Sequence, residues 1–376
     1  MPEVTYALRV NGSPVTPELL GAVVQVDIED HADLADMLRL RLSVAVRANG
    51  SGWTVLDDNL FPRLTPIAAE IVIGGTKTPL FDGFVIETQA SFSNEPGRSV
   101  LTVVAMDPTV LMHLEEKVKA WPNMADSDVA SAIFSDAAYN LTPVVETTPW
   151  QRQEDEQTLI QRGSDIQFLR RLADRNGYEC FVELNDSTGQ AEGHFHPPKH
   201  NATAQGVLSV NLGEATNVNA FSARFDMLGP TTAEVTGLDV SSGNDQQSTI
   251  TSTSLQDLGK SQTLPQDRPR KVLLAGTGMA QTGELQPLAQ AVVDRSSWAI
   301  RAAGELNTLA YGGVLRAKRP VEVRGAGQQF SGTYYVERVL HSFSGDGYTQ
   351  RFELRRNALG LTGSEQFTDN GALSAA

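Results

Sequence analysis

The chain has 376 residues, 20% of them charged, with a formal net charge of −15. That length accommodates two or three domains, and the acidic balance argues against a nucleic-acid-binding surface. One cysteine, Cys180, excludes an intrachain disulfide, a cysteine-rich zinc site and a CxxC redox pair. No apolar run is long enough for a transmembrane helix, so no membrane insertion is expected. The start "MPEVTYALRV" has neither the basic nor the apolar region of a secretory signal.

The first hundred residues predict strands. "TYALRV" runs into Asn11-Gly12, a hairpin signal. "AVVQVDI" alternates at Val24, Val26 and Ile28, and "MLRLRLSVAV" at Leu38, Leu40, Leu42, Val44 and Val46. "IAAEIVIGGTKTPLFDGFVIETQASF" reads as strands around a Gly-Gly turn, and "RSVLTVVAMD" closes the set. Residues 1–106 are expected to form a closed or nearly closed antiparallel barrel.

The pattern changes at Asp107-Pro108, an N-cap with proline at the first helical position. "TVLMHLEEKVKAW" predicts a helix. "DSDVASAIFSDAAYN" predicts another, with Val129, Ala130, Ile133, Phe134 and Ala137 on one face. In "SDIQFLRRLADRNG", Ser164 and Gln167 have the form of a capping box. Ile166, Leu169, Leu172 and Ala173 share a face, and Gly177 stands where a helix takes its left-handed C′ residue. Residues 107–177 are thus expected to be a helical insert.

Strand periodicity resumes at Tyr178, turns at Asn185–Gly189 and returns through "AEGHFHPP". A second barrel is expected from 178–245 and 305–358. Between these parts, 246–304 reads as a polar linker followed by a helix, "PLAQAVVDRSSWAIRAAGEL". The last strands are "GVLRAKRPVEVRG", "GTYYVERVLHSFSG" and "YTQRFELRRN". A flexible tail is expected over 359–376. The fold class is α+β, mainly β: two antiparallel barrel-like domains with a helical insert.

Five short patterns, in order and spacing, resemble the phage late-control protein D family of contractile tails, which is similar to the hub portion of type VI secretion spike proteins. Phe81, Gly83 and Val85 match f-x-G-x-V. "LTVVAMDPTVL" matches a strand ending in Asp before a helix. Ser127, Asp128, Val129 and Ile133 match the next helix. Asp165, Phe168, Leu169, Arg171, Leu172 and Gly177 match D-x-x-F-L-x-R-L-x-x-x-x-G. Gly332, Tyr334, Val336, Val339 and His341 match G-x-Y-x-V-x-x-V-x-H, followed by Gly347, Tyr348 and Phe352.

The resemblance covers roughly 1–358. It implies a non-enzymatic structural hub of a phage tail or contractile injection particle, assembled in the cytoplasm. Its expected partners are two further copies in a homotrimer, an inner tube protein, other baseplate components and a separate spike protein. The spike is expected because this chain ends where the type VI proteins continue into a needle. The alternatives are a tail-associated cell-wall hydrolase or a carbohydrate-binding protein. The missing acid–base constellation weighs against the first, and the helical insert against the second.

No cofactor is expected. His194, His196 and His200 in "GHFHPPKH" are weak metal candidates, since the first two share a strand face at a spacing zinc uses. A strand end and loop explain them as well. His341 is expected to be a structural hydrogen-bonding residue, and Cys180 a buried, inert thiol. "RGAGQQFSG" lies between strands and reads as a turn rather than a phosphate loop. No pair among the 45 acidic residues is marked as catalytic. The basic runs "LRLRL", "FLRRLADR" and "ELRRN" read as alternating or helical faces, solvated or, for some, expected to meet acidic partner surfaces.

Overall fold

The computed structural model describes residues 4–95, 97–154, 158–185, 188–238, 243–274, 282–345 and 347–368. The first barrel is built from residues 4–106, with three of its five pairings made by hairpins between consecutive strands. Val23–His31 pairs with Met37–Ser43, which pairs with Val100–Met106, then Thr76–Ser91, Pro66–Ile73 and Val4–Val10, all antiparallel. The register sets Val26 beside Leu40 and Ile28 beside Leu38, so the apolar faces coincide. Leu8, Val26, Ile28, Leu38, Leu40, Leu42, Ile67 and Ile71 form its buried core. Gly83 is required here by close approach: a Cβ would lie 2.2 Å from the Met106 carbonyl oxygen.

The second barrel takes Val218–Phe225, Ile300–Leu306, Gly347–Arg356 and Gly332–Ser344 in that order, with Pro320–Arg324 and Val207–Ser209 alongside. Gly332–Ser344 joins the barrels. Its first half pairs with Pro320–Arg324, and its second half pairs with Val23–His31 of the first barrel, giving one 13-stranded sheet. The switch falls at a β-bulge between Val336 and Arg338. The spacing V-x-x-V records it: inward positions run Tyr334, Val336, then Val339, His341 and Phe343, one residue out of phase. Tyr334, Val336 and Val339 enter the second core, whereas Phe343 enters the first. At Gly332 (φ 131°) a Cβ would sit 2.4 Å from the Arg356 guanidinium.

Several expected boundaries differ. "TVLMHLEEKVKAW" is a 3-10 turn, Pro108–His113, and then a strand, Glu116–Trp121, paired with Leu159–Ser164. Pairing with Leu159–Ser164, rather than any buried apolar face, accounts for the strand. Residues 107–177 therefore mix strands with helices Asp126–Phe134 and Asp165–Asn176. The hairpin Glu179–Leu184/Ala191–His196, expected in the second barrel, shares its core with these helices through Cys180, Val182 and Phe195.

The expected helix 287–306 is instead a helix, Thr282–Ser297, followed by the strand Ile300–Leu306. The β-branched and small residues after Ser297 pair with Val218–Phe225 rather than extend the helix. That helix covers a separate sheet of Asp245–Ile250, Thr231–Leu238 and Arg270–Leu274, so 246–304 is not simply linker and helix. The tail is partly docked: Ala358–Leu359 pairs with Ser261–Gln262, and Glu322 accepts the backbone N–H groups of Gln366 and Phe367. Residues 369–376 of the expected flexible tail lie outside the described residues.

Candidate functional site at the joint between the barrels

The strand Val23–His31 buries every second residue: Val26, Ile28 and then Asp30, an acid at an inward position. The chain passage Leu315–Lys318 lies against it, entirely buried. Lys318 Nζ donates to Asp30 Oδ1 at 2.7 Å and to both Asp36 oxygens at 3.0 Å. Arg316 Nε reaches Asp30 Oδ2 at 2.9 Å, and its Nη2 reaches Glu183 Oε1 at 3.3 Å. Arg316 also donates to the Pro79 carbonyl. Asp107, at the N-cap of the 3-10 turn, accepts the backbone N–H of Asp36. One cluster thus ties together both barrels, the segment after residue 106 and the 179–196 hairpin.

Burial alone would raise the Asp30 carboxyl, but the Lys318 ammonium and Arg316 guanidinium outweigh it and hold the group well below the usual carboxylate range. Burial pushes Asp36 well up, with the Asp30 and Asp107 charges adding to it against Lys318. Asp107 is also raised, by burial. Burial opposes the Lys318 charge, yet Asp30, Asp36 and Glu183 raise its pKa. The cluster is a lock: Asp30 and the two cations hold one another as ions, and Asp36 and Asp107 complete it as hydrogen-bond partners.

A second ionic group lies along the same seam. Arg355 bonds Glu179 and Asp33, and Tyr335 Oη donates to Glu179 at 2.7 Å. Burial pushes Glu179 up to about 7 despite Arg355. Arg356 is fully buried and is satisfied by the carbonyls of Leu258, Ser331 and Gly360. It clasps the root of the tail to the barrel. In the insert, Asp126 accepts from Arg152, Arg175 and Asn176, and Arg152 continues to Glu284.

The family-pattern residues are spread over the molecule as framework. Phe81, Val85, Phe168, Leu169, Leu172, Tyr334 and Val336 are core. Asp165 receives Lys117 Nζ at 2.7 Å, Tyr139 Oη at 2.6 Å and Gln161 at 2.6 Å, fastening the helix to the 116–121 strand. The capping box at Ser164 forms, and Gly177 is left-handed. Gly347 opens the final long strand with φ 108°. His341 Nδ1 lies 2.7 Å from Tyr348 Oη, and burial pushes its pKa down to about 3.

The three candidate metal histidines do not converge. His194 Nδ1 meets His196 Nε2 at 3.2 Å, and His196 Nδ1 meets the Pro197 carbonyl. His200 faces the carbonyls of Pro198 and Gln256 instead. Burial, then the neighbouring His196, drives His194 down to about 3. Among the described residues no group of three or more His, Cys, Asp and Glu side chains could hold a metal ion. No described helix is long and apolar enough to cross a membrane. Cys180 is buried, and burial pushes its thiol up to about 12.

Sequence reasoning missed Asp30, Asp36, Arg316, Lys318 and Arg355. One signal was available: Asp30 occupies the inward phase of an alternating strand, where an acid needs a buried cation.

The family model described as the Alg8 N-terminal domain matches residues 2–345, and the chain belongs to that family. No curated protein matches it. The 43 kDa tail protein of prophage MuSo2 from Shewanella oneidensis is 15% identical, with a TM-score of 0.63 over 95% of this chain and 100% of that one. The tail protein of Neisseria meningitidis MC58 is 12% identical, with a TM-score of 0.65 over 94% and 97%. The E. coli c3393 protein, described as a component of the type VI secretion system, is 10% identical, with a TM-score of 0.56 over 93% and 76%. The chain has the mainly β, tail-hub-like fold of these proteins.

Proposed function

We propose that this member of the Alg8 N-terminal domain family is a structural baseplate component of a phage tail or contractile injection particle. More finely, it is a hub that joins a hexameric inner tube to a trimeric spike. The observation that carries this reading is the continuous sheet across two barrels, sealed by the Asp30–Lys318 lock, in a fold that phage tail proteins share over nearly the whole chain. A body that transmits thrust must resist rotation between its halves. A shared strand and a buried ionic cluster supply that resistance.

Two barrels per chain and three chains per ring give six similar units toward the tube and threefold symmetry toward the spike. Work is done by position and stiffness, not by catalysis. Assembly takes place in the cytoplasm, with the tube, a separate spike and other baseplate components as partners. Co-expression with a tube protein and a spike protein of the same particle tests the reading. Threefold complexes containing all three proteins are expected. A chain that remains monomeric and joins neither would overturn it.

A further inference from the structure

At the seam between the helix Asp165–Asn176, the helix Thr282–Ser297 and the barrel strands lies a cavity of about 340 Å³. Arg170 lines it, and its buried Nε and Nη2 find no acceptor among the described residues. Arg355 Nε, on the opposite strand, is also buried without an acceptor. The carboxylates around the cavity are already engaged. Asp33 and Glu179 bond Arg355, Asp174 bonds Arg295, and Glu337 bonds Arg301. Asp294 accepts from Thr253, Ser254 and Gln290.

Trp298, Leu255, Ala173 and Ala291 supply apolar wall, where electrostatic attraction is stronger than in water. A guanidinium fork with open N–H groups matches the two oxygens of a carboxylate or phosphate. The volume suits a small ligand. We propose that this cavity binds a small oxyanion of the carboxylate or phosphate class, gripped by Arg170 with Arg355 Nε beside it. The anion would bridge the insert helix to the barrel seam and act as removable cement. This inference does not depend on the hub reading.

The full chain is titrated with inorganic phosphate and, separately, with acetate, against chloride at matched ionic strength. Calorimetry follows binding, and the thermal unfolding midpoint follows the tie between helix and seam. At least one of the two anions should bind and raise the midpoint. Arg170→Gln should weaken binding about tenfold or more and remove the rise. Arg98→Gln, at an exposed arginine elsewhere, should do neither. Should Arg170→Gln not fold, Arg170→Lys, which keeps the charge but loses the fork, should weaken binding and reduce the rise. Binding of neither anion, or equal binding in wild type and the Arg170 variant (an adventitious ion only), would overturn the proposal.

Discussion

The first barrel is drawn from one continuous stretch, residues 4–106, three of its five strand pairings are hairpins, and its core is apolar, with aliphatic side chains packed against Phe61, Phe81 and Phe343. The second is assembled from strands drawn from Val207 to Arg356, with a three-stranded sheet and a helix inserted between Phe225 and Ile300. Its seam with the first buries Arg316, Lys318 and Arg355. Apolar burial is non-directional and suffices where the strands come from one continuous stretch. At the seam between the two stretches, buried ion pairs add directionality. Each pair is costly to desolvate and costly to break.

The largest effect is expected at the lock. Lys318→Met leaves Asp30 and Asp36 buried without their ammonium, and should cost about 3–5 kcal/mol in denaturant unfolding. Adding Asp30→Asn and Asp36→Asn should recover much of that loss. If the triple variant is no better than the single one, the cluster is not a coupled unit and the contrast between the barrels fails.

Next comes Leu169, fully buried in the insert core. Leu169→Ala should cost about 2–5 kcal/mol, and Leu172→Ala a similar amount. A loss there without loss of the first barrel's amide protection would show that the insert unfolds as its own unit.

The third expected effect concerns pH. His341 has its pKa depressed to about 3 in the fold, so its neutral form is favoured there. The stabilisation is fully present above the unfolded value and is lost as pH falls toward about 3. Between pH 7.5 and 5.5 the wild type should lose about 1.4 kcal/mol relative to His341→Gln. Glu179, raised to about 7, acts with the opposite sign, and the mutant difference cancels its contribution.

The smallest effect should be at the tail. Residues 361–368 are exposed or half-buried, and their main tie to the barrel is Glu322. Removing residues 361–376 should change stability by less than about 1 kcal/mol, because the Gly360 carbonyl that Arg356 holds is retained. A larger loss would make the tail a third structural tie alongside the two barrels.

The same contrast explains what was legible in the sequence. Alternation at Leu38, Leu40 and Leu42 marks a strand without outside information, and the Ser164–Gly177 helix carries both of its caps in the sequence. The segment Glu116–Trp121 was misread because it is short and its periodicity fits either element. Pairing with Leu159–Ser164 decides it. Ile300–Leu306 was misread because its partners lie far away in sequence. The lock was missed because Asp30, Asp36 and Lys318 are ordinary charged residues until the fold brings them together. The misplaced phase of Asp30 was its one trace.

On the proposed reading the chain is a structural body of a tail, held stiff across its seam. Imaging particles assembled with the wild-type chain and with the Lys318→Met variant tests that most directly. Wild type should give baseplates in which the chain forms a threefold ring between tube and spike, and the variant should give few or none. Complete, spike-bearing particles formed without the chain would contradict the account.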